Sequence, residues 1–162
     1  MSEIYLGKFE HALDSQNRVS IPSDWRGTSA VETAFVLFQG YANSLLLFPM
    51  EVFSQFVDKV RGGSFASYEL QELLTWVGER TRKCVCDKQG RIKLDRAMLN
   101  AGGVGAQLEL VGAVTHIRLR APQGECAVGE SGNQAFFNKL QELAQDNQSE
   151  FIQLVADSFK RK

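Results

Sequence analysis

DSQNR at residues 14–18 returns as DKQGR at residues 87–91, 73 positions later, and each copy stands between two apolar, strand-like runs. An internal repeat placed in this way decides the architecture before any single residue is interpreted. Asp14 matches Asp87, Gln16 matches Gln89 and Arg18 matches Arg91 at a spacing of 73, and Gly40 matches Gly112 at 72.

Outward from the first phrase, residues 5–13 alternate, with Tyr5, Gly7, Phe9, His11 and Leu13 on one face and Lys8 and Glu10 on the other; this predicts a half-buried strand. Arg18-Val19-Ser20-Ile21 alternates again until Pro22, which is fit to open a short helix over 23–26 or to end a strand edge. Apolar runs at 34–38 and 44–48, joined by QGYAN, predict a hairpin. The second copy keeps the order: a strand at 83–86, the turn DKQG, a strand at 91–94, a short helix at 95–100 stopped by Gly102-Gly103, and a hairpin of 107–111 with 115–119 around Gly112-Ala113.

Between the copies two amphipathic helices are expected. Pro49 opens one with Phe53, Phe56, Val57 and Val60 on its apolar face, and Ser67 caps another carrying Leu70, Leu73, Leu74 and Val77. Both are expected to cover the sheets. After a Gly-rich stretch, Phe136, Leu140, Leu143, Phe151, Val155 and Phe159 mark a terminal amphipathic segment that needs a partner surface. The expected divisions are a first repeat at 1–50, a helical insert at 51–82, a second repeat at 83–121 and a loop with a terminal helix at 122–162.

Composition narrows the class. With 44% hydrophobic and 23% charged residues the chain can build an ordinary core. A net charge of -1 confines any affinity for nucleic acid to local patches or to weak contacts multiplied in an oligomer. The sequence has no apolar run long enough for a membrane span and no signal-peptide core at its start, so a cytoplasmic location is expected. Cys84, Cys86 and Cys126 form no disulfide framework. Cys84 and Cys86 share a strand face and could ligate metal, but they match His11 and Leu13 of the first copy, which favours buried thiols. His11 and His116 lack a nucleophile or carboxylate partner in any motif, and GGVGA at 102–106 lacks the ending of a phosphate loop. No carboxylate pair has catalytic spacing, so neither an enzyme, a cofactor, a metal nor a small-molecule substrate is expected.

The phrase D-x-x-[G/N]-R has a local explanation. The Asp caps backbone N–H groups of the turn, Asn17 or Gly90 takes a positive φ, and the Arg folds back on the carboxylate. Arginine is also suited to guanine edges or phosphate, and Gln or Asn to adenine edges. Charge around the copies differs: Arg80, Arg82, Lys83, Lys88, Arg91 and Lys93 face only Asp87, whereas Lys8, Arg18 and Arg26 are balanced by Glu10, Asp14 and Asp24. The second copy is therefore expected to dominate attraction to phosphate.

HALDSQNRVSIPSDWR and SLLLFP in the first copy, with CDKQGRIKL and LELVG in the second, resemble the MraZ family of bacterial transcriptional regulators over residues 4–119. The resemblance implies a mainly β fold with added helices, two tandem AbrB-like swapped-hairpin repeats forming a pseudo-symmetric, double-psi-like β-barrel. It implies a nucleoid-associated homo-oligomeric ring that binds short direct repeats in double-stranded promoter DNA of the division and cell-wall cluster containing its own gene. Carried onto matching positions, the implied DNA-binding residues are Arg18 and Arg91, set by Asp14 and Asp87, with Gln16, Asn17, Lys88 and Gln89 as further candidates. Asn17 stands where the family has glycine, Asp95 where it has proline, and the tail lacks the family's usual tryptophan-bearing end. The alternative is a ring-forming or antitoxin-like module that binds protein, with weak or no DNA binding.

Overall fold

The computed structural model describes residues 3–27, 32–39, 43–63 and 66–122, together with Asn138 and Glu142. The chain divides into two units, Met1–Pro122 and Gln123–Lys162, and the first carries both copies of the repeat. The terminal amphipathic pattern, apart from helical Asn138 and Glu142, lies outside the described residues, as do Cys126 and residues 40–42 of the QGYAN turn.

The fold is mainly strands with a few helices. In chain order it runs β1 (Lys8–Ala12), β2 (Arg18–Ser20), a 3₁₀ turn (Ser23–Trp25), β3 (Ala34–Gln39), β4 (Ser44–Pro49), α1 (Met50–Arg61), α2 (Tyr68–Glu79), β5 (Thr81–Val85), β6 (Arg91–Lys93), α3 (Arg96–Ala101), β7 (Gln107–Gly112) and β8 (Ile117–Arg120). Six strands form one sheet in the order β1-β7-β8-β4-β3-β5, and β2 pairs with β6 in a separate ribbon. The sheet order is unchanged when the two copies are exchanged. β1 of the first copy pairs with β7 of the second, while β5 of the second pairs with β3 of the first. This is the strand swap implied by the resemblance. The sheet's edge strands, β1 and β5, run through the repeated turns into β2 and β6, so the ribbon joins the two edges without one continuous hydrogen-bonded ladder.

Alternation places the core. Phe35, Leu37, Leu45 and Leu47 from the first copy meet Leu108, Leu110, Ile117 and Leu119 from the second, all essentially inaccessible. Val19, Ile21, Ile92 and Leu94 close this core from the ribbon side. Trp25 and Met98, 73 apart, plug equivalent positions and are both buried. The outer sheet face explains where the helices pack. In the first copy it presents Val36, Phe38, Leu46 and Phe48, which line an apolar hollow of about 290 Å³ with Val52, Phe53 and Phe56 of α1. In the second copy the outer positions Glu109, Arg118 and Arg120 are charged beside Val111, and inaccessible Glu109 accepts a hydrogen bond from Arg120 Nε at 3.1 Å. An apolar outer face attracts an amphipathic helix; a charged one satisfies itself by pairing.

Several elements differ from the sequence expectation. The strand expected over 5–13 begins only at Lys8, because Gly7 takes φ 98° and Tyr5 makes an isolated bridge to Val114. β8 begins at Ile117 rather than 115, since that bridge holds Val114 at φ 68° and prolongs the loop. Leu73, expected on the covered face of α2, is 47% exposed, and neither α1 nor α2 contributes a buried residue. Ser67 does cap α2, accepting from Leu70 N at 3.3 Å. Gly103 (φ 63°) ends α3 in a Schellman arrangement, with Val104 N donating to Leu99 O at 2.9 Å and Gly103 N to Asn100 O at 3.2 Å.

Candidate nucleic-acid interface

Each repeated phrase builds the same closed turn. Asp14 Oδ1 accepts from the backbone N–H of Gln16 at 2.8 Å and of Arg18 at 2.9 Å, while its Oδ2 accepts from Arg18 Nε at 2.7 Å. Asp87 repeats the set with Gln89 N at 2.9 Å, Arg91 N at 2.9 Å and Arg91 Nε at 3.0 Å. Asn17 at φ 58° and Gly90 at φ 78° supply the left-handed step, for which asparagine is among the better-tolerated non-glycine residues. Both carboxyls are held below the usual carboxylate range, first by the backbone N–H of the following Arg and further by its guanidinium.

Tertiary structure brings the two turns together. Val19 pairs with Ile92 at the centre of the ribbon, Arg18 lies opposite Lys93 and Ser20 opposite Arg91. Ile21 N donates to Gly90 O at 2.9 Å and Leu94 N to Asn17 O at 2.8 Å, so each turn is stitched to the strand of the other copy. Arg91 Nη1 also reaches Asp14 Oδ2 at 3.9 Å, linking the two turns through charge. Val19 and Ile92 point inward and are buried, which leaves Arg18, Ser20, Arg91 and Lys93 on the opposite, solvent-facing side. Gln16, Lys88 and Gln89 are exposed, and Asn17 is half-buried.

The six-residue basic cluster of the second copy is divided by the fold. Arg80 stacks over Trp76 at 4.5 Å and pairs with Glu79 at 3.7 Å, and Arg82 pairs with Asp95 at 3.1 Å. Asp95 also caps α3, accepting from Ala97 N at 2.8 Å. It therefore replaces the helix-opening role of Pro22 by a side-chain cap, with its charge offset by Arg82. Lys93 and Ser20, absent from the sequence candidates, join the surface because they face Arg18 and Arg91 across the ribbon; their alternation with buried Val19 and Ile92 was the available signal. Cys84 is buried, its thiol pushed up to about 11 by desolvation, and Cys86 packs partly against the same core.

A duplicated, strand-swapped, mainly β protein that presents two Asp–Arg turns side by side is the class this structure defines. A family model described as "MraZ protein, putative antitoxin-like" matches residues 4–73, which span the first repeat and the start of α2. The chain is similar over more of its length to proteins named "Transcriptional regulator MraZ": 26% identical to that of Roseiflexus sp. over 143 residues, covering 86% of this chain and 99% of the relative. It is 27% identical to the protein of that name from Thermomicrobium roseum over 127 residues (78% and 88%), and 23% identical to that of Clostridium tetani over 116 residues (72% and 80%). Over most of its length the chain is thus similar to proteins named as MraZ transcriptional regulators.

Proposed function

We propose that this protein is a sequence-specific DNA-binding transcriptional regulator whose paired turns are its reading head. The observation that carries the reading is the side-by-side placement of two Asp–Arg turns with matching hydrogen bonds by the β2–β6 pairing. Arg18 is engaged through Nε and Arg91 through Nε and, at 3.9 Å, Nη1, which leaves both Nη groups of Arg18 and Nη2 of Arg91 for a guanine edge or a phosphate. Lys88, Gln89, Gln16 and Asn17 extend the contact as the turn tips, with Lys93 and Ser20 beside them. Each protomer offers a modest charge surface, so affinity comes from a homo-oligomeric ring engaging successive direct repeats in a promoter. The promoter is that of the protein's own gene, in the division and cell-wall cluster, and regulation is autogenous.

The test is a gel shift with duplex DNA from upstream of its own gene at two salt concentrations, comparing wild type with an Arg18→Ala, Arg91→Ala variant. Salt-sensitive, sequence-selective binding by wild type, lost in a variant of unchanged oligomeric size, is the expected result. An intact wild-type oligomer that binds no DNA refutes the proposal. A protein-binding role is the second reading, favoured by the apolar hollow between α1 and the sheet and by exposed Tyr68, Leu73 and Trp76 on α2. It predicts binding to a protein partner that is indifferent to Arg18, Arg91 and salt.

A further inference from the structure

The two turns match in their hydrogen bonding but differ on one flank. At a spacing of 73, Asn17 corresponds to Gly90 and Arg26 to Leu99. Beside the second turn, the place a Cβ on Gly90 would take is occupied by the guanidinium of Arg26. Beside the first turn, Asn17 carries its own Cβ, Leu99 is buried, and both border a hollow of about 340 Å³ with Asp14, Arg96 and Asn100. The sequence counts Arg26 with the first turn; the fold hands it to the second.

Arg26 differs electrostatically from the arginines around it. Arg18, Arg80, Arg82 and Arg91 each lie within 3.7 Å of a carboxylate oxygen. Arg26 forms no such ion pair among the described residues, and its buried Nε has no hydrogen-bond partner. Its position is fixed from behind by buried Trp25 and by its own backbone N–H, which donates to Ser23 O at 3.2 Å. Its charge reaches Cys86, just before Asp87, where it opposes the upward push of burial on the thiol. Within the turn itself Asp87 offsets Arg91, so Arg26 and Lys88 supply the excess positive charge there.

We infer that Arg26 is a DNA-contacting residue of the second turn, supplied by the first repeat, and that it takes a backbone phosphate of duplex DNA beside Arg91. The inference rests on the DNA-binding reading of the paired turns. Phosphate rather than a base is the ligand because a half-buried guanidinium laid against Gly90 adds charge without a partner that would orient it for bidentate base readout. With leucine in the equivalent place, the first turn lacks this contact, and the two turns hold DNA unequally.

The test measures affinity of the full chain across a salt titration, for a duplex from upstream of its own gene and for a random-sequence duplex of equal length. Arg26→Ala and Arg26→Gln are each expected to weaken binding to both duplexes by roughly tenfold and to lower the slope of log affinity against log salt by about one for each protomer engaged. The glutamine variant keeps most of the stem and so separates charge from packing. Arg26→Lys is expected to keep the wild-type slope. A wild-type slope in the glutamine variant, or an equal loss in the lysine variant, overturns the role of Arg26 while wild-type binding stands. Absence of wild-type binding to either duplex overturns the DNA reading itself.

Discussion

Gly112→Ala puts a methyl group where the N-terminal segment crosses the second hairpin. A Cβ on Gly112 would stand 2.5 Å from Tyr5 C and 2.6 Å from both Leu6 N and Tyr5 O, all main-chain atoms that no rotamer change can move aside. The crossing is held by Gly112 N to Gly7 O at 2.8 Å, Tyr5 N to Val114 O at 2.9 Å and Val114 N to Tyr5 O at 3.0 Å. It also seats the inaccessible Tyr5 ring edge-on to Trp25, with centroids 6.0 Å apart. If the segment yields slightly, the cost is that of overpacking, about 1–3 kcal/mol. If it lets go, three backbone bonds worth roughly 1 kcal/mol each are lost, so about 3 kcal/mol is the expected destabilisation. Urea unfolding followed by circular dichroism, at one fixed protomer concentration, measures it. Gly105→Ala is the matched control, because a Cβ there meets nothing within 4 Å. Equal midpoints for the two variants would refute the claim that strand exchange depends on this close approach.

Two more outcomes are expected from the groups already placed. The lowered carboxyls of Asp14 and Asp87 contribute stability above the unfolded carboxylate value of about 3.9 and lose it as pH falls through their lower folded values. Thermal melts from neutral to acid pH should therefore show the advantage of wild type over an Asp14→Asn, Asp87→Asn variant shrinking below about pH 4; a constant difference would contradict the assignment. Cys84, buried with its thiol pushed up to about 11, should resist alkylation at pH 8 until the protein is denatured, whereas rapid labelling of native Cys84, located by peptide mass, would show that the strand is open.

Local chemistry made much of this protein legible in its sequence. Each turn is specified within five residues, because Asp caps the N–H groups just ahead of it and Asn17 or Gly90 supplies the left-handed step. Period-two alternation marked the strand at 18–21, and Pro49 and Ser67 marked the helix starts. Where the reading missed, distant atoms had intervened. Gly7 bends the first strand to let Tyr5 reach Val114, and that reach delays β8. Leu73 fits the helical period of α2 but lies outside the strip that meets the sheet.

The sequence by itself determined the two turns, their duplication and the order of strands and helices in each copy, since each depends on residues a few positions apart. Only the tertiary structure decided which strand pairs with which, because backbone hydrogen bonds carry no sequence label and the exchange of β1 and β5 is settled by burial of one shared core. That exchange sets Arg18 opposite Lys93, links Arg91 to Asp14 and carries Arg26 from the first repeat to the flank of Gly90. The surface proposed for DNA is thus composed across the repeats by packing, from turns that each copy specifies alone.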